Sequence, residues 1–401
     1  MPAVEKRAPK FLAVDFFCGA GGTTRGLIDA GGYVIAGIDK DDKCELTFAT
    51  NNKNAALDRA APTFLHYDLF PKTRRYRWGQ QSELRSELHD LIPFYKKQAP
   101  HAPLLFAICA PCQPFTRLSR KEMTKARLAK RSKDRNLLGE AVKFVEYFKP
   151  ELVLSENVRG IGDPQYGGIW ADFIERLEEA GYVTGSKVIC TSRFGIAQYR
   201  KRSILIAVRR RLVRSERCAD TSKRALLVPE CNPDTPPVSV QEALAHFPPL
   251  KAGEQHPVIP NHLTRALSKL NKQRLRAALP GQSNAYMEDT PHGDLSLKCH
   301  KRVNKRLRDR CFNDVYTRMR SNHPAPTITT KCHSISNGRF GHYEVGQVRG
   351  ISLREAAALQ SFPDDYVFFP IDQQEPVARM IGNAVPPRLA EFFSDYLVHS
   401  I

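Results

Sequence analysis

The strongest constraint on this chain is the run Asp15-Phe-Phe-Cys-Gly-Ala-Gly-Gly22, which sits between an apolar stretch (residues 11 to 17) and a helical one (about Thr23 to Ala30). Glycines at a strand-to-helix turn let the backbone pass close to a ligand. The helix start then offers free N–H groups to negative atoms. The spacing is not the G-x-G-x-x-G of dinucleotide enzymes. Asp39 follows about twenty positions on, at the end of a second apolar run, where a carboxylate suits a ribose diol. Asp68 ends a third run and is placed to accept from an adenine amino group. The turn and the two acids together point to a nucleoside-bearing ligand at the carboxyl ends of parallel strands.

The rest of the first half agrees with that reading. Apolar runs at Tyr33–Ile38, Thr63–Tyr67, Leu104–Cys109, Leu152–Ser155, Lys187–Thr191 and Ser203–Val208 are read as strands. Leu137–Phe148 and Ala171–Ala180 are read as helices between them. Strands alternating with helices imply a mainly parallel sheet covered on both faces, the α/β class. After Arg209 the chain turns rich in Pro, Arg, Lys and polar residues with weak periodicity, which reads as a second, loop-rich domain. Helices return at Leu353–Gln360 and from about Pro387 to Leu397. The expected division is 1–209, 210–370 and a closing segment 371–401 that returns to the first domain.

Charge narrows the partners. The chain of 401 residues carries a formal net charge of +19. Such an excess favours a polyanion over a generally solvated basic surface. Two basic stretches contribute, Arg74 to Arg77 and Arg117 to Arg135; the ordinary reading of each is a solvated face. No apolar run approaches the roughly 20 residues of a membrane span, and Met1 to Lys10 lacks an apolar signal core. A cytoplasmic location follows as the expectation, at the nucleoid in a bacterium. The ten cysteines show no disulfide rhythm. Cys299, His300, Cys311, Cys332 and His333 fit no standard zinc spacing, so no metal is expected.

Three further motifs carry chemistry. Ala110-Pro-Cys-Gln-Pro-Phe115 follows the fourth strand and puts Cys112 on a proline-restricted loop at the same edge as the glycine turn. A free thiol is only a few per cent thiolate at pH 7, so a nucleophile here needs activation by a helix terminus or nearby arginines. The alternatives are an inert cysteine or a redox pair with Cys109, which falls within the apolar strand. Ser155-Glu-Asn-Val158 sets Glu156 at a strand end as a proton donor or acceptor, or as a capping residue. Gln198-Tyr-Arg-Lys-Arg202 alternates so that Gln198, Arg200 and Arg202 share a face. That face suits a pyrimidine carbonyl and a phosphate, or a basic strand edge.

These motifs are followed by Arg354-Glu355 with Leu359-Gln-Ser-Phe-Pro363, and then by Gly382-Asn-Ala-Val-Pro386. In order and content the set resembles the DNA cytosine-5 methyltransferases, from about residue 11 to residue 390. The resemblance implies a Rossmann-like methyltransferase sheet with an inserted, smaller target-recognition domain. It implies S-adenosyl-L-methionine as cofactor, with Phe17, Gly19, Gly21, Asp39, Asp68, Pro111, Asn383 and Val385 matching the family's cofactor contacts. Asp39 stands where the family more often has Glu. It implies double-stranded DNA as partner, a base flipped out of the stack, and attack by Cys112 on carbon 6 of cytosine assisted by Glu156, Arg200 and Arg202. The segment after Phe115 is expected to clamp the DNA. A monomer is expected, with a cognate restriction endonuclease as a possible companion. Three rival readings stay open: a transfer-RNA cytosine-5 methyltransferase, faintly suggested by Cys311-Phe312; a catalytically silent DNA-binding protein; and a nicotinamide oxidoreductase, which leaves Cys112 unexplained. The recognition sequence is not legible in residues 210 to 350.

Overall fold

The computed structural model describes residues 8–111, 134, 136–164, 168–219, 225–297 and 313–401. Cys112, Arg117 to Lys133, Arg135, Cys299, His300, Cys311 and Phe312 lie outside the described residues. The chain divides into two compact units, one of Met1–Cys190, Lys201–Pro233 and Ala384–Ile401, the other of Thr191–Arg200 and Asp234–Asn383. These bounds differ from the sequence divisions at 209/210 and 370/371.

The first unit is built on a seven-stranded sheet. Its strands are β1 (Leu12–Phe16), β2 (Tyr33–Asp39), β3 (Thr63–His66), β4 (Leu104–Ile108), β5 (Leu152–Val158), β6 (Tyr182–Cys190) and β8 (Lys201–Arg209); β7 (Gln198–Tyr199) belongs to the other unit. The order is β3-β2-β1-β4-β5-β8-β6. The pairs from β3 to β5 are parallel, and β8 runs antiparallel to both β5 and β6. Every residue of β1 and β4 is buried, as a central parallel strand covered on both faces requires, which is why both read as unbroken apolar runs.

The helices of this unit are α1 (Gly22–Asp29), α2 (Glu45–Asn51), α3 (Gln81–Gln98), α4 (Leu137–Phe148) and α5 (Ile169–Glu179), followed at the end of the chain by Pro387–Val398. Each of α3, α4 and α5 presents one apolar stripe to the sheet: Leu84, Leu88 and Ile92 on α3; Leu138, Ala141, Val142 and Val145 on α4; Trp170, Phe173 and Leu177 on α5. Spacings of three and four keep those side chains on one helix face. Helices α2 and α3 were not expected from the sequence. Strand β6 is longer than the stretch read from it, because Tyr182–Ser186 precedes the expected start at Lys187. No described helix is long and apolar enough to cross a membrane.

The second unit has short elements: α6 (Val240–Leu244), α7 (Lys269–Ala277), α8 (Leu353–Leu359), α9 (Gln374–Asn383), and β7 paired in parallel with β9 (Ala325–Pro326). Buried polar contacts do much of the organising here. Ser352 caps α8 in a capping box with Glu355. Glu355 also takes two 2.7 Å bonds from Arg349. His262 closes the set, 2.8 Å from the Ser352 hydroxyl. Paired and hydrogen-bonded in this way, the charges tolerate burial that would be costly for either alone.

Candidate active site

The register of the sheet sets the geometry of its carboxyl edge. Phe16 of β1 lies opposite Ile38 of β2 and Ile108 of β4. The chain therefore leaves three neighbouring strands side by side, at Phe17, Asp39 and Cys109. Ala107 pairs with Leu154, which carries Glu156 to the level of Cys109. Asp39 pairs with His66, and Asp68 follows two residues beyond.

The glycine turn fits a close ligand. Phe17 has φ 63° and Gly19 φ 51°, and Gly21 at φ 88° caps α1. A bulky residue at positive φ is strained and is held only where the surroundings over-determine it. A Cβ added at Gly19 would meet only Asp39 Oδ2, at 4.0 Å, so it would project into open space. Asp39 holds this turn: its Oδ2 accepts from the Gly19 N–H at 2.9 Å and its Oδ1 from the Asp41 N–H at 2.9 Å. Burial outweighs both bonds and raises its pKa above the ordinary range. Asp15, fully buried beneath the turn, accepts from Thr24 Oγ1 at 2.7 Å, and its Oδ1 has no hydrogen-bond partner among the described residues. Burial, with Asp39 nearby, pushes Asp15 up to about 7. Asp68 is partly exposed and caps its own loop, Oδ1 accepting from the Phe70 N–H at 3.2 Å.

The stem of the Cys112 loop is tied to β5. Ser155 Oγ donates to the Ile108 carbonyl at 2.5 Å, and Asn157 Nδ2 donates to the Ala110 carbonyl at 3.0 Å. Pro111 is the last described residue before Cys112. Cys109, partly buried, takes a long contact of 3.9 Å from Thr23 Oγ1. Burial, with Glu156 and Asp15 near it, holds its thiol well above the usual range. Cys109 is therefore a protonated packing group rather than a ready thiolate.

Glu156 and Arg202 form an ion pair, Oε1 to Nε 2.7 Å, with each side chain about 10% exposed. Strand pairing brings them together, because Val158 lies opposite Arg202 in the β5–β8 ladder. Glu156 also borders a small apolar cavity with Thr23, Cys109 and Val385, and with Leu389 and Phe393 of the final helix. Gly26 seats that helix on α1: a Cβ there would stand 2.2 Å from the Pro387 carbonyl oxygen.

Two of the motif residues belong to the second unit. Arg200 is 2% exposed and its Nη1 donates to the carbonyls of Ile328, at 3.1 Å, and Gly382, at 3.2 Å. Gln198 Nε2 donates to Gln360 Oε1 at 2.7 Å, and the Ile328 N–H donates to Gln198 Oε1 at 2.8 Å. Gln360 Nε2 donates in turn to the Ile381 carbonyl. Three motifs far apart in sequence are thus joined by buried hydrogen bonds just before Asn383, the exposed last residue of α9. Thr24, Gly26 and Asn157 had been given no role from the sequence. Only Gly26, a glycine inside a helix with no turn to serve, carried a signal of close packing.

The family model described as C-5 cytosine-specific DNA methylase matches residues 79–399. The type II methylase M.HgiDII of Herpetosiphon aurantiacus is 31% identical over 379 residues, 94% of this chain and 92% of that protein. The type II methyltransferase M1.HphI of Haemophilus parahaemolyticus is 29% identical over 292 residues, 71% of this chain and 65% of that protein. Among solved structures, an Escherichia coli prophage protein assigned as a DNA modification methyltransferase superposes with a TM-score of 0.65 at 20% identity, over 97% of this chain and 99% of that one. This last likeness bears on the fold.

Proposed function

This chain belongs to the C-5 cytosine-specific DNA methylases and methylates carbon 5 of cytosine in DNA; we propose that Cys112 is its nucleophile, assisted by Glu156 and Arg202, with S-adenosyl-L-methionine as the methyl donor. The observation that carries the reading is the buried Glu156–Arg202 pair on the strands next to the tethered stem of the Cys112 loop. Cys112 follows Pro111 directly in the sequence. Attack of its thiolate on carbon 6 of cytosine makes carbon 5 nucleophilic and splits one hard step into two easier ones. Glu156 holds a proton at ring nitrogen 3, drawing charge from the ring as the thiolate adds. Arg202 keeps Glu156 oriented and binds the carbonyl at position 2. Once carbon 5 is methylated, a base removes its proton and Cys112 leaves. Carbon 6 is shielded in a stacked duplex, so the cytosine is flipped out at a cost of a few kcal/mol.

Bound S-adenosylmethionine supplies a methyl group activated on a sulfonium. Within the first unit Phe17, Gly19 and Gly21 would line its turn, Asp39 would take the ribose hydroxyls and Asp68 the adenine, with Pro111 and Val385 completing that side. The open space above Gly19 supports that fit. Arg200, whose hydrogen bonds go to backbone carbonyls, serves by holding the segment before Asn383. The first compact unit carries the chemistry and the second reads the DNA sequence. The type II relatives support a place beside a restriction endonuclease; the expected site of action is DNA in the cytoplasm. The test supplies labelled donor and duplex DNA to wild type and Cys112→Ala. The variant is expected to bind DNA but form no 5-methylcytosine; full turnover would remove Cys112 from the mechanism.

A further inference from the structure

The loop from Leu69 to Gln80 joins β3 to α3. Its neck is closed by backbone bonds, the Gln80 N–H to the Asp68 carbonyl at 3.0 Å and the Gln81 N–H to the Phe70 carbonyl at 3.2 Å. Gln81 Nε2 ties the neck to α4 through Glu140 Oε2, 2.7 Å away. Inside the loop, Tyr76 stacks on the buried Phe70 ring with centroids 4.1 Å apart. Gly79 is packed so closely that a Cβ would stand 2.3 Å from the Phe70 carbonyl oxygen. The tip is therefore held in one shape.

What that shape displays is unusual. Lys72, Arg74, Arg75 and Arg77 are all exposed, and no acidic residue occurs between Asp68 and Glu83. Among the described residues none of the three arginines forms an ion pair, and Arg75 lies over the Tyr76 ring at 5.4 Å. Trp78 is 86% exposed. Leaving so large an apolar ring in water forgoes a few kcal/mol of burial. Fixed cations interleaved with aromatic rings suit a phosphate backbone, where guanidinium groups take phosphates and rings lie on sugars or bases. The loop is also bonded to the residue before α4, Asn136 Nδ2 donating to Tyr76 Oη at 3.4 Å.

We propose that the exposed Arg74, Arg75, Arg77 and Trp78, fixed on the β3–α3 loop by the Tyr76–Phe70 stack, form a sequence-independent contact to the backbone of the duplex DNA substrate. This surface belongs to the first unit and acts in addition to sequence reading. Arg74→Gln/Arg75→Gln/Arg77→Gln removes its charge. The slope of log affinity against log salt should fall by about 0.9 for each phosphate that is no longer neutralised, about 2.7 for all three, while kcat at saturating DNA stays unchanged. Fluorescence provides a second readout. The chain has two tryptophans, and Trp170→Phe leaves Trp78 as the only one, whose selectively excited emission DNA of arbitrary sequence should quench. A wild type that binds DNA with the same slope as the triple variant, or a Trp78 signal unmoved at saturating DNA, overturns the proposal alone. Absence of any DNA binding by the wild type overturns it together with the methylase reading.

Discussion

Replacing Gly26 by alanine puts one methyl group where two helices already touch. The new Cβ would lie 2.2 Å from the Pro387 carbonyl oxygen, 2.7 Å from Ala390 Cβ and 2.7 Å from the Glu391 nitrogen. Two of these neighbours are backbone, so the clash is relieved only by moving the helix Pro387–Val398 away from α1. Alanine is the better helix former by about 1 kcal/mol. Overpacking costs about 1–3 kcal/mol, and backbone contacts this short put the cost at the upper end. A net loss of about 2 kcal/mol follows, which lowers Tm by roughly 4–8 °C in a domain of this size. The displaced helix also carries Leu389 and Phe393 off the apolar cavity that Glu156 borders, so methyl transfer should fall with stability. Thermal denaturation of Gly26→Ala beside Gly162→Ala, where a Cβ meets nothing within 4 Å, isolates the effect. A Gly26→Ala melting point at or above wild type refutes the packing account.

Three further outcomes are expected. Asp15, raised from its ordinary 3.8 to about 7 by burial, keeps its proton in the fold while the unfolded chain loses it. Its contribution is intact below about 3.8 and declines as pH rises to about 7, so Asp15→Asn should gain Tm relative to wild type at pH 8 compared with pH 5, and equal differences would contradict this. His342 is pushed down to about 4, chiefly by burial; the unfolded chain takes up a proton first as pH falls from 6.5, and His342→Gln should flatten the loss of stability between pH 6.5 and 4, by about 3 kcal/mol in the limit. Gln360→Ala leaves Gln198 Nε2 and the Ile381 carbonyl without their partner, and denaturant unfolding should register about 1–3 kcal/mol lost.

How much was legible depended on whether the cause was local. Strands β1 and β4 and helix α4 were read within a residue or two, because apolar runs and the four-residue stripe are local patterns. Helix α3 went unread although Leu84, Leu88 and Ile92 keep helical spacing, since the charged and polar residues around them and Pro93 masked the stripe. Asp39 and Glu156 could be placed at the carboxyl edge of the sheet from sequence because each follows an apolar strand run. The partner of Asp15 could not be, because nothing in sequence links it to the Thr24 hydroxyl nine residues on. Arg200 shows the other limit. Alternation gave it a face shared with Arg202, yet it is buried on the carbonyls of Ile328 and Gly382, partners 128 and 182 residues away that only the fold supplies.

The most direct test of the central claim uses DNA carrying 5-fluorocytosine. Fluorine at carbon 5 does not leave as a proton does, so an enzyme that adds a thiolate at carbon 6 and then methylates cannot eliminate it. With S-adenosylmethionine present, the account predicts a protein–DNA complex that survives denaturation, its nucleotide on the peptide bearing Cys112. Methylation of ordinary DNA without any such trapped complex, or a crosslink on Cys109 instead, would contradict it.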